Sequence, residues 1–441
     1  MDNLDGKFIK QEIDKHREKR ELYKYYDDIY IGKHPILNKT INGIDNANNK
    51  VVANFDKYVI DATVGYFLGK PVIIQHNKSD NIQYILEDIF TENDKDDLFV
   101  ETGIEVLKKG KAYWFIYQDE FGNTKIKKVK PDEVIVIKNA TTDEIERVYR
   151  YYYLEDIENN KLLLYVEAYK GNKVYYYVEN ERTGELILDY SRQNPTTHIF
   201  GRIPFVEIVN NEQETSEIDV IYTIRDTFSK ILSYTADEFE AFRNAYIVIN
   251  SGENVNEEDV LKLKDQGIIS LDEGGNFRFE TKNVNTDGVE KHLDRLEKLL
   301  HKLSGVPDMS DENFGGNLSG VSLKLKFAGL EHKCIIKERK FTKAIRDLLK
   351  ILKPVIELKT GEKFNLRDID IQFIRNIPTN DTEYIDEIVK LQGTGLIDKE
   401  TLLSRLPFIS DPLAILEKVE AEQEKYIDFH KVAEEIDNNV M

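Results

Sequence analysis

The chain has 441 residues, with 61 lysines and arginines against 81 aspartates and glutamates and a formal net charge of −20. That length allows several domains, each with its own core, and the charge argues against a protein that coats nucleic acid, because counterion release needs a basic face. One cysteine, Cys334, excludes an intrachain disulfide and a cysteine-based metal site.

At the N-terminus MDNLDGKFIKQEIDK lacks the apolar core of a signal peptide, and no stretch approaches the roughly 18 uncharged apolar residues of a membrane span. A soluble, intracellular product is expected, with no membrane partner. Phe8, Ile9, Ile13, Tyr23 and Tyr26 predict an amphipathic helix over residues 7–26. NKTINGIDNANN follows as a polar loop. In KVVANFDKYVIDATVGYFLGKPV, Val52, Phe55, Val59, Ala62 and Phe67 recur at helical spacing. Gly69 is expected to end that helix in the left-handed conformation, with Pro71 blocking its continuation. Further helices are expected over 80–90 and 97–109. From 111 to 209 the texture changes: AYWFIYQDEFGNTKIKKV reads as a hairpin about residues 119–123, and VYRYYYL, KLLLYVEAY and NKVYYYVEN continue a tyrosine-rich strand pattern. One antiparallel sheet with aromatics packed across strands is expected.

After IPFVEIVNN, Ser216 and Asp219 have capping-box spacing, and Ile221, Ile224, Phe228, Ile231, Phe239 and Phe242 follow on one face. Thirty such residues make a rod of about 45 Å. Residues 246–281 read as two short strands and one helix (256–266). A second rod over 287–303 runs through Val289, Leu293, Leu296, Leu300 and Leu303. Two rods bracketing a small module is the topology of a hairpin carrying a tip. In SGVPDMSDENFGGNLSGVSLKLKFAGLEHKCIIKERKF the helix stops, a polar glycine-rich loop follows, and a long basic helix begins that lasts to Pro354 and on to about Leu358. Residues 319–360 carry eleven basic against four acidic side chains, and residues 379–441 six basic against fifteen acidic. Such segments can meet each other, a neighbouring subunit or a partner, or be solvated helix faces. Cys334, within the basic helix, is expected as a small buried or half-buried apolar residue. The strand IDIQFIRNI is expected to return to the earlier sheet, and helices over 383–392, 398–406 and 412–426 complete the chain.

Candidate chemistry is sparse. GYFLGKP is one residue short of a phosphate-binding loop, puts Pro71 where magnesium needs a hydroxyl, and ends a helix instead of opening one. GTG at 393–395 lacks a third glycine. His292 and His301, nine residues apart on one helix, cannot chelate one ion together, and no HExxH pattern exists. The acidic pairs Asp27-Asp28 and Asp96-Asp97 read as solvated surface. No catalytic, cofactor-binding or metal-ligating residue is assigned, and no cofactor is expected. Lys291 and Lys298 lie seven residues apart on one face of the second rod, near Asp294 and Glu297. In a single chain they are ordinary surface pairs; in a symmetric ring they become circles of charge that guide a polyanion without arresting it.

YYDDIYIGKHPIL (25–37), NNKVVANFDKYVIDATVGYFLGKPV (48–72), KGKAYWFIYQDEFGN (109–123), IPFVEIVNN (203–211) and SGVPDMSDENFGGNLSGVSLKLKFAGLEHK (304–333) resemble the portal proteins of long-tailed double-stranded DNA bacteriophages, more narrowly the siphophage portal family of low-GC Gram-positive hosts. The resemblance covers nearly the whole chain in order. It implies an α+β portal fold and a cyclic oligomer, usually of twelve subunits, at one capsid vertex. The wing would be 1–215, the stem helices 216–245 and 287–306, and the clip between them 246–286. The tunnel loop would be 307–319, the long wing helix and returning strand 320–378, and a compact crown 379–441. The resemblance further implies double-stranded DNA in the channel, with Asn313, Phe314, Gly315, Gly316, Asn317 and Leu318 at the loop tip brushing its backbone. Its implied partners are the terminase motor, head-completion or adaptor proteins, and the scaffolding and major capsid proteins. The ATP would be the motor's, and this chain would not be an enzyme. A capsid-assembly scaffold on the same rods, and a metal-dependent nuclease of a mobile element using acidic clusters, are the alternatives.

Overall fold

Alternating side chains along the tyrosine-rich strands give the body two buried sheet faces. In the computed structural model, which describes residues 5–41, 47–156, 161–242, 246–250, 276–280, 286–309, 320–377, 381–395, 397–404, 415–416 and 418–419, β4 (Val134–Lys138), β5 (Ile145–Asp156), β6 (Lys161–Lys170), β7 (Lys173–Glu179) and β8 (Leu186–Leu188) are antiparallel neighbours in that order, and β9 (Thr196–Thr197) also pairs with β7. Tyr149, Tyr151, Leu164, Val166, Ala168, Tyr175 and Tyr177 point to one face, where Ile9 and Ile13 of α1 (Gly6–Tyr30) cover them. Val148, Tyr169 and Val174 point to the other face and meet Tyr113, Val129 and Phe205.

Those last residues belong to a second sheet. β2 (Lys111–Gln118) pairs with β3 (Thr124–Val129) and with β10 (Phe205–Val209), in the order β10-β2-β3. The single sheet expected over 111–209 is therefore two packed sheets. The chain leaves β3 through a 3-10 turn at Pro131–Glu133, and Pro131, without an N–H, cannot extend the ladder. The far side of the small sheet is closed by α4 (Lys95–Lys109): Trp114 is fully buried, stacks on Phe99 at 5.1 Å and donates its Nε1–H to Thr102 Oγ1 at 2.8 Å. Across α4 lies α2 (Phe55–Leu68), approached at Gly103, where a Cβ would stand 2.7 Å from Leu68 Cδ1.

Several expectations are corrected. The strand at 369–372 (β13) does not join either large sheet. It pairs antiparallel with β1 (Ile73–His76), with Ile74 opposite Ile371, because α3 (Asp80–Thr91) packs against both β1 and the long helix that precedes β13 and so brings the two strands to one place. Gly69 is right-handed, with φ −69° and ψ −10°; left-handed glycines instead close other helices, among them Gly110, Gly305 and Gly361. The basic helix is broken at Phe327 into α7 (Gly320–Lys326) and α8 (Ala328–Thr360), Phe327 itself being buried and stacked on Tyr66 at 5.3 Å. Pro354 sits inside α8, which runs on to Thr360. A helical proline costs about 3 kcal/mol, and burial of Ile351, Leu352, Val355 and Ile356 offsets it at roughly 1.5–3 kcal/mol per side chain. Cys334 is buried as expected, its thiol pushed up to about 12 by desolvation.

The chain divides into two units: Met1–Asp308 with Phe327–Asn376, and Met309–Lys326 with Ile377–Met441. In the second, α9 (Asp381–Thr394) continues through Gly393, and Gly395, with φ +65°, follows it. α10 (Lys399–Ser404) packs on α9, Leu402 is buried, and Asp398 accepts from the Thr401 N–H at the start of α10. The expected helix over 256–266 lies outside the described residues, as does most of 412–426.

A buried charge cluster ties α1 and α4 to the turn after β3. Lys109 Nζ, fully buried, lies 2.8 Å from Asp27, 3.0 Å from Glu105 and 2.8 Å from Asp132. Replacing Lys109 by Ala leaves Asp132 without its lysine and Asp27 and Glu105 with Lys108 alone, and is expected to destabilise the body by about 3–5 kcal/mol. A fall in the far-UV circular dichroism melting midpoint, absent for an exposed control such as Lys15→Ala, checks it.

Candidate functional site: the helical pair and its anchor

The first rod, α5 (Ile218–Phe242), begins where Ser216 caps it. Ser216 Oγ accepts from the Ile218 N–H at 3.0 Å, and the Ser216 N–H donates to Asp219 Oδ2 at 3.3 Å. The same hydroxyl donates to the Lys108 carbonyl at 2.6 Å, and the Glu217 N–H donates to the Leu107 carbonyl at 2.9 Å, so the rod starts stitched to the end of α4. Along its length an extended segment is pinned to one face at helical spacing. Ser229 Oγ accepts from Ala53 N, Ser233 Oγ from Val51 N, and Asp237 from Asn49 N and Lys39 Nζ. The segment falls at the end of the polar loop and the start of the next block. Serines four residues apart were the legible signal for it.

The second rod, α6 (Thr286–Ser304), packs against α5. The residues between them include β11 (Tyr246–Asn250) and β12 (Asn276–Glu280), which pair antiparallel with Ile247 opposite Phe279. The apolar faces of the pair are only partly covered within one chain. Ile221, Ile224, Phe228 and Leu300 are buried, whereas Phe239, Leu299 and Leu303 are 52%, 40% and 51% exposed. Lys291 and Lys298 are both exposed, and among the described residues neither forms the expected ion pair with Asp294 or Glu297. The six loop-tip residues 313–318 lie outside the described residues.

Behind the rods α8 supplies the anchor. Gly305, at φ +71°, and Gly329 meet backbone to backbone; a Cβ on either would stand 3.3 Å from the other's carbonyl oxygen. Lys333 Nζ reaches Glu217 Oε2 at 2.6 Å and the Ser304 carbonyl at 3.1 Å, and Lys337 Nζ reaches Glu217 Oε1 at 2.6 Å and Asn210 Oδ1. Burial alone would raise the Glu217 carboxyl, but Lys333 and Lys337 override it and hold it at about 2. Burial and the neighbouring Lys333 push Lys337 below its ordinary value, Glu217 opposing them. One carboxylate shared by two cations accounts for both directions. On the same helix, Glu331 accepts from Tyr66 Oη at 2.8 Å and from Arg375 at 2.8 Å, and Arg375 also reaches Glu338 at 2.6 Å. At the end of α6, Glu297 and His301, with Asp308 beyond the turn, present side-chain ligand atoms within 4.8 Å of one another.

A sheet-bearing body, two packed helices with a two-stranded ribbon between them in sequence, and a long helix anchoring both follow one another in the chain order that the resemblance to phage portal proteins implies. The chain belongs to the family described as "Phage portal protein, SPP1 Gp6-like", whose model matches residues 9–428. The portal protein of Bacillus phage SPP1 is 27% identical over 398 residues, covering 86% of this chain and 77% of that protein. The portal protein of Clostridium phage phiCD119 is 26% identical over 439 residues, covering 93% and 94%. Among solved structures, a chain of "Neck of empty GTA particle computed with C6 symmetry" is 12% identical with TM-score 0.45, covering 80% of this chain and 89% of that one. A chain of "Neck of native GTA particle computed with C12 symmetry" is 12% identical with TM-score 0.44, covering 81% and 89%.

Glu217→Ala leaves buried Lys337 and half-buried Lys333 without their carboxylate and is expected to cost about 3–5 kcal/mol at pH 7. Because the folded-state value lies below the ordinary 4.5, the contribution is complete above about pH 4.5 and is lost as pH falls toward about 2. Melting midpoints of wild type and variant should therefore converge over that acid window; a constant difference would refute the ionic origin.

Proposed function

We propose that this chain is one subunit of a closed ring, of the dodecameric kind its family resemblance implies, set at one capsid vertex of a virion as a non-enzymatic conduit for double-stranded DNA. The family match over residues 9–428 carries this reading. The half-covered apolar faces of α5 and α6 support it, since a head-to-tail ring would bury them against neighbouring subunits. In this assignment residues 1–215, with 320–378, form the wing, the two rods the stem, 246–286 the clip that docks the terminase motor and later the head-completion or adaptor protein, and 379–441 the crown. Scaffolding and major capsid proteins would meet the ring's outer surface. No helix among the described residues is long and apolar enough to cross a membrane.

The channel would be lined by rings of Lys291 and Lys298 and by loop tips bearing Asn313, Phe314, Gly315, Gly316, Asn317 and Leu318. Weak contacts suit transport, because each phosphate neutralised adds affinity that movement must break. Two glycines at the tip keep the backbone unrestricted. Negative-stain microscopy of the purified protein at high concentration is expected to show rings with a central hole; a monomer under every assembly condition would overturn the ring. Gly315→Pro combined with Gly316→Pro is expected to lower DNA packaging at least tenfold while rings still form, and normal packaging by that variant would remove the loop from the mechanism.

A further inference from the structure

We infer that Glu297, His301 and Asp308 form a binding site for one divalent first-row transition-metal ion, Zn²⁺ foremost, at the end of the second rod. His301 Nδ1 lies 3.0 Å from the Val306 carbonyl oxygen. A carbonyl can only accept, so Nδ1 carries the proton and Nε2 presents its lone pair. That lone pair belongs to the nitrogen nearest Asp308, 4.0 Å from Oδ1. Glu297 stands one helical turn before His301, and one ligand atom from each of the three lies within 4.8 Å of the others. Zinc binds nitrogen and oxygen at about 2.0–2.2 Å, which sets ligand atoms on one ion about 3–4 Å apart. Small side-chain rotations close that gap.

Three observations favour an ion over chance proximity. The imidazole is oriented from behind, by the Val306 carbonyl and by the Tyr58 ring packed edge-on at 5.9 Å, the arrangement that fixes a metal-ligating histidine. Two half-buried carboxylates converge on one point, and among the described residues Glu297 has no lysine or arginine within ion-pair range. The site also sits in the last turns of α6, where the carbonyl end of the helix dipole favours positive charge. One imidazole with two carboxylates is a mixed nitrogen and oxygen set, which suits zinc or its first-row neighbours better than the all-oxygen preference of calcium or magnesium. A bound ion would tie the end of the rod to Asp308, the last residue before the 309–326 stretch, and Tyr58 Oη already holds the intervening turn through the Pro307 carbonyl at 3.1 Å.

The test uses the full chain, stripped with EDTA and dialysed. Co²⁺ titration followed by visible absorption, and Zn²⁺ titration by calorimetry, are expected to give one ion per chain, reversible by chelator. Glu297→Gln, His301→Ala and Asp308→Asn should each weaken binding at least tenfold, while the exposed control Asp96→Asn leaves it unchanged. Glu297→Gln and Asp308→Asn nearly preserve shape, and far-UV circular dichroism without metal confirms that they fold. Absence of saturable binding by the wild type, or equal affinity in Glu297→Gln and Asp308→Asn, overturns the site.

Discussion

Glu217 is 7% exposed and carries its charge between Lys333 and Lys337, with Asn210 and the end of α4 closing the remaining sides. Each neighbour comes from a different part of the fold: Asn210 follows the last strand of the small sheet, Leu107 and Lys108 end α4, and the two lysines stand on adjacent turns of α8. A buried ion in such a place is tolerated only when fully paired, and removing one member is far worse than never having had the group. The position of the first rod relative to body and long helix is thus set by an all-or-none contact. Hydrophobic packing alone would allow a range of tilts; a carboxylate with two fixed cations does not.

The second rod is tied to the same anchor through backbone. Lys333, besides Glu217, takes the carbonyl of Ser304, and Gly305 lies against Gly329 with no side chain between them. One lysine therefore contacts the start of one rod and the end of the other. Toward their other ends, Phe239 on α5 is half exposed and, on α6, Thr286, Asp287, Gly288 and Glu290 are exposed. Stiffness and burial concentrate at the anchor, and the contacts that would complete the rods lie on surfaces one chain leaves open.

How much of this could be read from sequence varies with the range of the interaction. The rods, the Ser216 cap and the tyrosine-rich strands follow from periodicities that one segment carries by itself. Their packing partners do not. The β1–β13 ladder joins four-residue strands about three hundred residues apart; β13 is legible within IDIQFIRNI, but β1 is too short to announce itself and neither strand names its partner. Phe327 breaks a helix that looks continuous because Tyr66 offers it a stacking surface, and Pro354 fails to break one because the flanking apolar residues are buried. Glu217 is lost between two capping residues, and its two lysines are spread along a helix whose basic character looks like surface. The Glu297, His301 and Asp308 cluster is invisible to histidine spacing, since it holds one histidine and its third member follows a glycine–valine–proline turn.

That basic helix changes meaning once its partners are known. Lys333 and Lys337 are consumed by Glu217, Lys350 by Asp347, Lys353 by Glu357 and Lys359 by Asp88. What remains along α8 without ion-pair partners among the described residues is half-buried Lys340 and an exposed stripe of Arg339, Lys343 and Arg346. Charge counted by segment therefore overstates what the helix offers a polyanion. Lys333 and Lys337 act inward, where low dielectric makes each pair stronger than on the surface, whereas Lys350 and Lys353 pair within α8 itself on its half-exposed flank. A chain with net charge −20 can accordingly carry a basic segment whose lysines are partly spent on its own carboxylates, which fits the restraint that the conduit proposed above would require, since each phosphate neutralised adds affinity that sliding must break.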